Sequence, residues 1–289
     1  MRAALSTLKF LEAGSLSHAF KIMKTHPGIM PTAGCTDIYV SLNFGTLKVR
    51  EFLNLWGLSE LRKIQMKGDY LSIGSLATYT QIIHSDSVKK WIPMLIQASS
   101  SIGGMQIQNR GTLGGNIGNG SPAGDTLPVL AAAEAVVVLG STEGIRRISF
   151  NMFYTGYRKN AMNPEELILS VEIPRIKSQQ WYRKVGTRAA QAISKIVMAA
   201  VLSKDPEEQQ DPRRIRIAFG SLAPTVIRAF RTETALAENG NITEAQKTLL
   251  SEIQPIDDIR STALYRQTVA ANLLAEWWGK VSPRSLIKS

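Results

Sequence analysis

Residues 106–128 read QIQNRGTLGGNIGNGSPAGDTLP, and the fifteen residues 111–125 within them hold six of the chain's 22 glycines. Glycine costs conformational entropy on folding and brings no side chain to a core. So dense a cluster predicts tight turns or another molecule lying against the main chain. A second glycine turn, TAGCTD at residues 32–37, stands upstream. Each turn offers consecutive backbone N–H groups without side-chain obstruction, flanked by threonine or serine hydroxyls and followed by a carboxylate, Asp37 or Asp125. Fixed amide dipoles of this kind replace the water that a phosphate loses on binding. A single glycine-rich surface hairpin has the same composition. Two clusters, each with its carboxylate, point instead to a ligand with two phosphates and a group at each end.

The simple phosphate motifs do not account for the stretch. Gly118, Gly120 and Ala123 satisfy G-x-G-x-x-A, the dinucleotide fingerprint. However, no buried β-branched strand precedes them, and Pro122 sits where the helix should open. The loop G-x-x-x-x-G-K-[ST] is absent, which argues against a P-loop nucleotidase.

Working outward, 289 residues are long for one core and suit two. With 44% hydrophobic and 20% charged residues and a mean hydropathy of -0.05, the chain reads as an ordinary folded soluble protein. A lone cysteine, Cys35, and three scattered histidines, His18, His26 and His84, argue against disulfides, a zinc site or an iron–sulfur cluster within this chain. No apolar run reaches bilayer length and the first residues lack a leader pattern, so no membrane and a cytoplasmic location are expected. The net charge is +11, from 34 Lys+Arg against 23 Asp+Glu. The cations are dispersed and no nucleic-acid motif is present, so the excess predicts an acidic protein partner rather than nucleic acid.

Apolar spacing predicts a helix from Ser15 to the HPG at residues 26–28, strands at 48–53 and 70–74, and a helix over 85–100 that must accommodate Pro93. Asp125 is placed to N-cap a helix in DTLPVLAAAEA, and AVVVLG, IRRISF and EELILSVEIP read as strands. After Pro174 the character changes. Strands are expected at WYRKVG, SKIVMAAVL and RIRIAFGSLA, with the loop KDPEEQQDP between the last two. Helices follow over 226–238, over 243–254 with a Thr243…Gln246 capping box, and over 262–280. The layout is α+β: a cofactor region, then a smaller sheet-plus-helices unit.

At this point the residues resemble a known family. GIMPTAGCTDIYV is similar to an "AGGTD" segment, and residues 103–130 to a "Q-I-R-N-x-G-T-x-G-G-N-x-x-x-x-S-P-x-x-D-x-x-P" segment, of the FAD-binding subunits of molybdenum hydroxylases, the group of xanthine dehydrogenase and carbon monoxide dehydrogenase. EELILSVEIP, YRKVGTRAAQAISKIVMAAVL and RIRIAFGSLAPTVIRAFRTETAL resemble later segments, so the likeness runs nearly end to end.

The resemblance implies a two-lobed PCMH-type FAD-binding domain over 1–175, with subdomains of about 1–55 and 56–175. A C-terminal domain over 178–284, with a three-stranded antiparallel sheet plus helices, follows it. It also implies the site. Pro31, Thr32, Ala33, Gly34, Cys35, Thr36, Asp37 and Ile38 wrap the FAD pyrophosphate. Thr112, Gly114, Gly115, Asn116 and Asn119 bind the diphosphate and adjoining sugar from the other side, and Asp125 holds sugar hydroxyls. Ile102 and Gly103 line the pocket, while Ile168 and Lys184 lie near the isoalloxazine ring. A carboxylate accepts from two vicinal hydroxyls, so Asp125 suits a ribose as well as a helix cap, and one residue can serve both. Lys184 suits an anionic reduced flavin, although a strand lysine is commonly just solvated.

Three positions depart from the pattern. Cys35 replaces a glycine and is tolerable there if its φ is negative; Gln108 replaces an arginine; Gly120 replaces a frequent alanine. The expected function is an FAD-dependent electron-transfer subunit, xanthine dehydrogenase-like. A molybdopterin-binding large subunit and a [2Fe–2S] small subunit are its expected partners, and NAD+ or another compound its acceptor. The rivals are a stand-alone flavin oxidoreductase, against which the absence of histidine after His84 counts, and a nucleotide- or nucleic-acid-binding protein.

Overall fold

A computed structural model describes residues 7–175, 177–189, 191–203 and 214–282. The first lobe alternates strand and helix: β1 (Lys9–Glu12), α1 (Leu16–Thr25), β2 (Met30–Thr32), α2 (Thr36–Phe44) and β3 (Glu51–Asn54). Its three strands pair in parallel in the order β1-β3-β2. Parallel neighbours cannot be joined by a tight turn, so a helix must carry the chain back each time. Ser15 caps α1 by accepting from the His18 N–H, and Ala19, Ile22 and Met23 carry its apolar face onto Leu53, Leu55 and Leu61.

The second lobe has β4 (Ile64–Lys67) and β5 (Tyr70–Gly74), then helices α3 (Tyr79–Ile83), α4 (Asp86–Trp91), α5 (Pro93–Ser100), α6 (Met105–Gln108), α7 (Leu113–Asn119) and α8 (Leu127–Ala132). It closes with β6 (Val136–Ser141), β7 (Gly144–Ser149), the hairpin β8 (Tyr154–Gly156) and β9 (Lys159–Asn160), and β10 (Leu167–Pro174). An antiparallel five-stranded sheet of order β4-β5-β10-β6-β7 carries the helices. The single helix expected over 85–100 is two, because Pro93 lacks an N–H and begins α5 at its first turn.

β10 serves two cores. Its pairing with β6 shifts register between Ile168 and Ser170. Leu167 and Leu169 pack with the first lobe, whereas Val171 and Ile173 join the helical core. An extra residue in one strand turns the side chains beyond it to the other face.

The C-terminal part contains β11 (Ser178–Val185), β12 (Ile196–Ser203), β13 (Ile215–Gly220), β14 (Ile227–Arg228), α9 (Phe230–Asn239), α10 (Ile242–Glu252) and α11 (Ala263–Val281). The three expected strands form the antiparallel order β11-β12-β13, and β14 adds a short fourth. That pairing is why the helix expected from residue 226 begins only at Phe230. The cap of α10 is Asn241, which accepts from the N–H groups of Thr243 and Glu244, in place of a Thr243…Gln246 box. Gln246 instead donates to the Ala271 carbonyl of α11. The KDPEEQQDP loop lies outside the described residues.

Both faces of β12 are buried. Ala199 and Val201 join the helical core of the second lobe, with every residue of α8 buried beside them, while Met198 and Ala200 face α9 to α11. A buried charge cluster crosses the same seam. Arg228 pairs with Glu233 at 2.5 Å and Glu134 at 3.5 Å and donates to the Ala131 carbonyl at 3.2 Å. Arg216 meets Glu134 at 3.3 Å, and Glu233 accepts from the Ile217 N–H at 2.6 Å. Burial pushes the Glu233 carboxyl up, opposed by the charge and bonds of Arg228.

Asp258 fastens the segment before α11. It accepts from the Arg260 and Ser261 N–H groups and from Arg266 at 2.8 Å. Burial works against its ionisation, but these bonds outweigh it and hold the carboxyl at about 2.

Removing one member of a buried pair leaves an uncompensated charge, so Arg228→Ala is expected to destabilise the fold by about 3–5 kcal/mol in urea titrations. The Asp258 carboxylate contributes stability that is complete above its ordinary value of 3.8 and lost as pH falls through about 2. Asp258→Asn should therefore lower stability near neutrality and flatten its loss across that acid window; an unchanged acid-unfolding curve would contradict this assignment.

Candidate cofactor cleft

The two glycine turns meet. A Cβ built on Gly34 would lie 1.7 Å from the Arg110 carbonyl oxygen, so the main chain of the first turn rests directly on the residue that opens the second. A Cβ on Gly114 would lie 2.5 Å from Ser75 Cβ, and the Gly114 N–H donates to the Ser75 carbonyl at 2.8 Å. Absence of a side chain at these positions thus draws α7 onto the end of β5 and onto the β2–α2 turn. At Gly118, by contrast, the nearest atom is Ile168 Cδ1 at 3.8 Å. Beyond that ordinary contact, the Gly118 backbone borders an open space.

The space is a cleft of about 470 Å³ between the two lobes, within the range of about 300–1,000 Å³ common for small-ligand sites. Residues 31–38, Thr112, Gly114, Gly115, Asn116, Asn119 and Ile168 all line it, so fourteen of the eighteen expected site residues share one cavity. The register shift in β10 falls at Ile168, at the cleft wall.

The N-terminus of α2 opens into the cleft through Thr36, Asp37 and Ile38, and its N-cap, Cys35, makes no side-chain capping bond. The first N–H groups of a helix have no partner within it and carry the positive end of its dipole. An anion satisfies both. α7 differs: Thr112 caps it by accepting from the Gly115 N–H at 3.1 Å. The hydroxyl of Thr32 donates to the Leu53 carbonyl, and Asn116 accepts from Thr126 at 2.5 Å, which fixes both in the wall.

Cys35 has φ +61, so the condition of negative φ fails and a side chain is held in the left-handed region where glycine is favoured. Burial pushes its thiol up, so the group is protonated at neutral pH. Gln108 bridges the Ser100 and Ile102 carbonyls, holding the turn before α6.

Ile102, Gly103, Asp125 and Lys184 do not line the cleft. They gather beside it, where Lys184 meets Asp125 at 2.6 Å and the Ser101 carbonyl at 2.9 Å, and Ser194 donates to the other Asp125 oxygen. Asp125 does not cap α8; the cap position is Thr126, without a side-chain bond, because the buried Asp125 carboxylate is held by Lys184 and Ser194. Lys184 is an interior ion-pair partner rather than a solvated strand lysine. Burial pushes the Asp125 carboxyl up, opposed by Lys184 and Ser194.

Three further cleft residues had no signal in the sequence. Ser75 is 4% exposed and its hydroxyl has no hydrogen-bond partner among the described residues, an orphan in the cleft wall. Arg158, at the β8–β9 turn, lowers the Asp37 carboxyl that burial pushes up. Tyr79 is buried, and burial together with the charges of Asp37 and Asp125 pushes its hydroxyl up. Only folding brings these to the glycine turns.

An uncapped helix end, an orphaned hydroxyl and an arginine around one cavity fit a dinucleotide diphosphate. Gly34→Ala is expected to separate the turns and abolish retention of an anionic ligand, read as lost ligand-induced thermal stabilisation. Cys35→Gly should raise stability by about 1 kcal/mol by relieving the left-handed residue; no gain in chemical denaturation would refute that strain.

A sequence profile for the FAD binding domain in molybdopterin dehydrogenase matches residues 6–176, and one for the CO dehydrogenase flavoprotein C-terminal domain matches 181–281. The glyceraldehyde dehydrogenase medium chain of Sulfolobus acidocaldarius is 29% identical over 279 residues, covering 94% of this chain and 98% of the relative. The xanthine dehydrogenase FAD-binding subunit of Escherichia coli O157:H7 is 29% identical over 277 residues, covering 91% and 94%. In fold, a chain of carbon monoxide dehydrogenase from Hydrogenophaga pseudoflava superposes with a TM-score of 0.86 at 23% identity, over 93% of this chain and 95% of the other. Profile, relatives and fold agree with the cleft: the chain belongs to the FAD-binding subunits of the molybdenum hydroxylases, and FAD is its cofactor.

Proposed function

We propose that this chain is the FAD-carrying electron-transfer subunit of a multi-subunit, xanthine dehydrogenase-like molybdenum hydroxylase in the cytoplasm. Electrons enter from [2Fe–2S] clusters on a small partner subunit and leave to NAD+ or another acceptor, while a large molybdopterin-binding subunit oxidises the substrate. The observation that carries the reading is the uncapped start of α2 facing Gly115, Asn116 and Asn119 across one cleft. A single cysteine in the whole sequence supports placing the iron–sulfur clusters on another chain.

In this reading the N–H groups of Thr36, Asp37 and Ile38 and the Arg158 guanidinium hold the diphosphate, and Ser75 donates its unpaired hydroxyl. Ile168 packs against the ring. The Asp125–Lys184 pair borders the cofactor, with Asp125 fixed toward sugar hydroxyls by Ser194 and Lys184 set to compensate negative charge. When bound, FAD supplies a carrier that accepts electrons singly and releases them as a pair.

The purified chain should be yellow, or become so on reconstitution with FAD; a colourless chain that takes up no FAD overturns the reading. Asp125→Ala should weaken FAD retention by roughly 10–100-fold, as expected for lost bonds to a charged group. It also leaves Lys184 unpaired, so the Asp125→Ala/Lys184→Met pair, which removes both charges, is needed beside it. Full FAD affinity in the double variant would remove Asp125 from the cofactor's neighbourhood.

A further inference from the structure

A strip of chain at residues 75–79 backs the second glycine turn. The Gly114 N–H donates to the Ser75 carbonyl at 2.8 Å, the Leu113 N–H to Ala77 at 3.0 Å and the Tyr79 N–H to Gly111 at 3.1 Å. Thr78 and Thr112 pair between them as an antiparallel bridge. Thr78 also caps α3, since its hydroxyl accepts from the Gln81 N–H at 3.2 Å and the Gln81 side chain accepts from the Thr78 N–H at 3.0 Å. Tyr79, the next residue, therefore projects from a backbone fixed on both sides.

The turn's glycines lie directly against the side chains of this strip. A Cβ on Gly111 would stand 2.6 Å from Tyr79 Cε2 and 3.0 Å from Tyr79 Cδ2. Gly111 thus leaves room for the aromatic ring, which is only 4% exposed and lines the cleft together with Thr112, Gly114 and Gly115. Packing accounts for the ring but not for its oxygen. The Tyr79 hydroxyl makes no hydrogen bond among the described residues, although a buried tyrosine ordinarily finds a partner for its O–H. Burial and the nearby carboxylates keep that hydroxyl protonated, so it is a neutral donor at the cleft wall.

We propose that the Tyr79 hydroxyl donates a hydrogen bond to a diphosphate oxygen of the cofactor, an inference that rests on the flavin reading above. Its place in the cleft favours the diphosphate. Tyr79 packs under Gly111, beside the turn whose Thr112, Gly114 and Gly115 line the cavity, and the charge that acts on it from the first lobe is that of Asp37, in the uncapped first turn of α2. A phosphate held close to the Asp37 carboxylate gains from every donor within reach, and a phenol that stays protonated adds a donor without adding negative charge. The ring therefore fills the recess that glycine leaves, and the oxygen is left for the ligand.

The test uses the full chain and Tyr79→Phe, which removes one oxygen and keeps the ring. The melting transition of the flavin-free variant should match the parent, because the hydroxyl bonds nothing within the protein. The Kd for FAD should rise roughly 10–100-fold, as for a lost bond to a charged group. Phosphorus NMR of FAD bound at saturation should show a displaced diphosphate signal in the variant. Unchanged FAD affinity, an unmoved phosphorus signal, or a flavin-free variant that melts below the parent would each overturn the proposal, the last because the hydroxyl would then serve the fold. A parent chain that takes up no FAD sinks the flavin reading instead, and its spectrum reports this before any variant is compared.

Discussion

Everything at the cofactor site depends on a contact between two stretches of main chain. Gly34 rests against the Arg110 carbonyl so closely that even a methyl group is excluded. That approach sets the separation of the two lobes and aims the start of α2 at α7. The uncapped N–H groups of α2 face the opposite wall only because the two stretches stand this close, and side chains at Gly34 or Gly114 would hold them apart. Glycine at Gly34 and Gly114 therefore serves the protein's own packing first. The ligand meets backbone that this packing has already placed.

The same logic extends to the shared cores. β10 contributes to two of them by shifting register at Ile168, so the strand that links the lobes also lines the cleft. The C-terminal sheet is clamped between α8 and the last three helices, and the Arg228–Glu233–Glu134 cluster crosses that seam. Apolar packing supplies the bulk of the association, while the buried charges restrict its geometry, since any displacement would leave a charge unpaired. Asp125 and Lys184 are brought together by this docking: one belongs to the segment entering α8, the other to β11. The ion pair beside the cleft is thus built jointly by parts matched by two different profiles.

Local economy is not kept everywhere. Cys35 stands at a left-handed position where glycine is the unstrained choice, and its protonated thiol makes a long contact to the Ala33 carbonyl at 3.5 Å. Nothing in the structure explains its presence. Gln108, the other departure at the site, has a clear role in tying the Ser100 and Ile102 carbonyls.

Much of this was legible in the order of residues. Glycine density, hydroxyls beside it and an acidic residue after each turn are local properties, and they point to a nucleotide-like ligand with two phosphates before any folding is considered. The long run from Gln106 to Pro128 narrows that binder to one family. Strand and helix positions with clear apolar periods, such as β5, α1 and α11, follow for the same reason. What the sequence could not show is which residues from distant segments meet. Ser75, Tyr79 and Arg158 enter the cleft only because sheets and helices bring residues 75–79 and 158 beside residues 31–38. Asp125 looks like a helix cap locally, and only the approach of β11 and Ser194 turns it into a buried ion pair. Local chemistry determined what kind of ligand is held, whereas long-range packing decided which side chains surround it, because burial and pairing depend on neighbours remote in the chain.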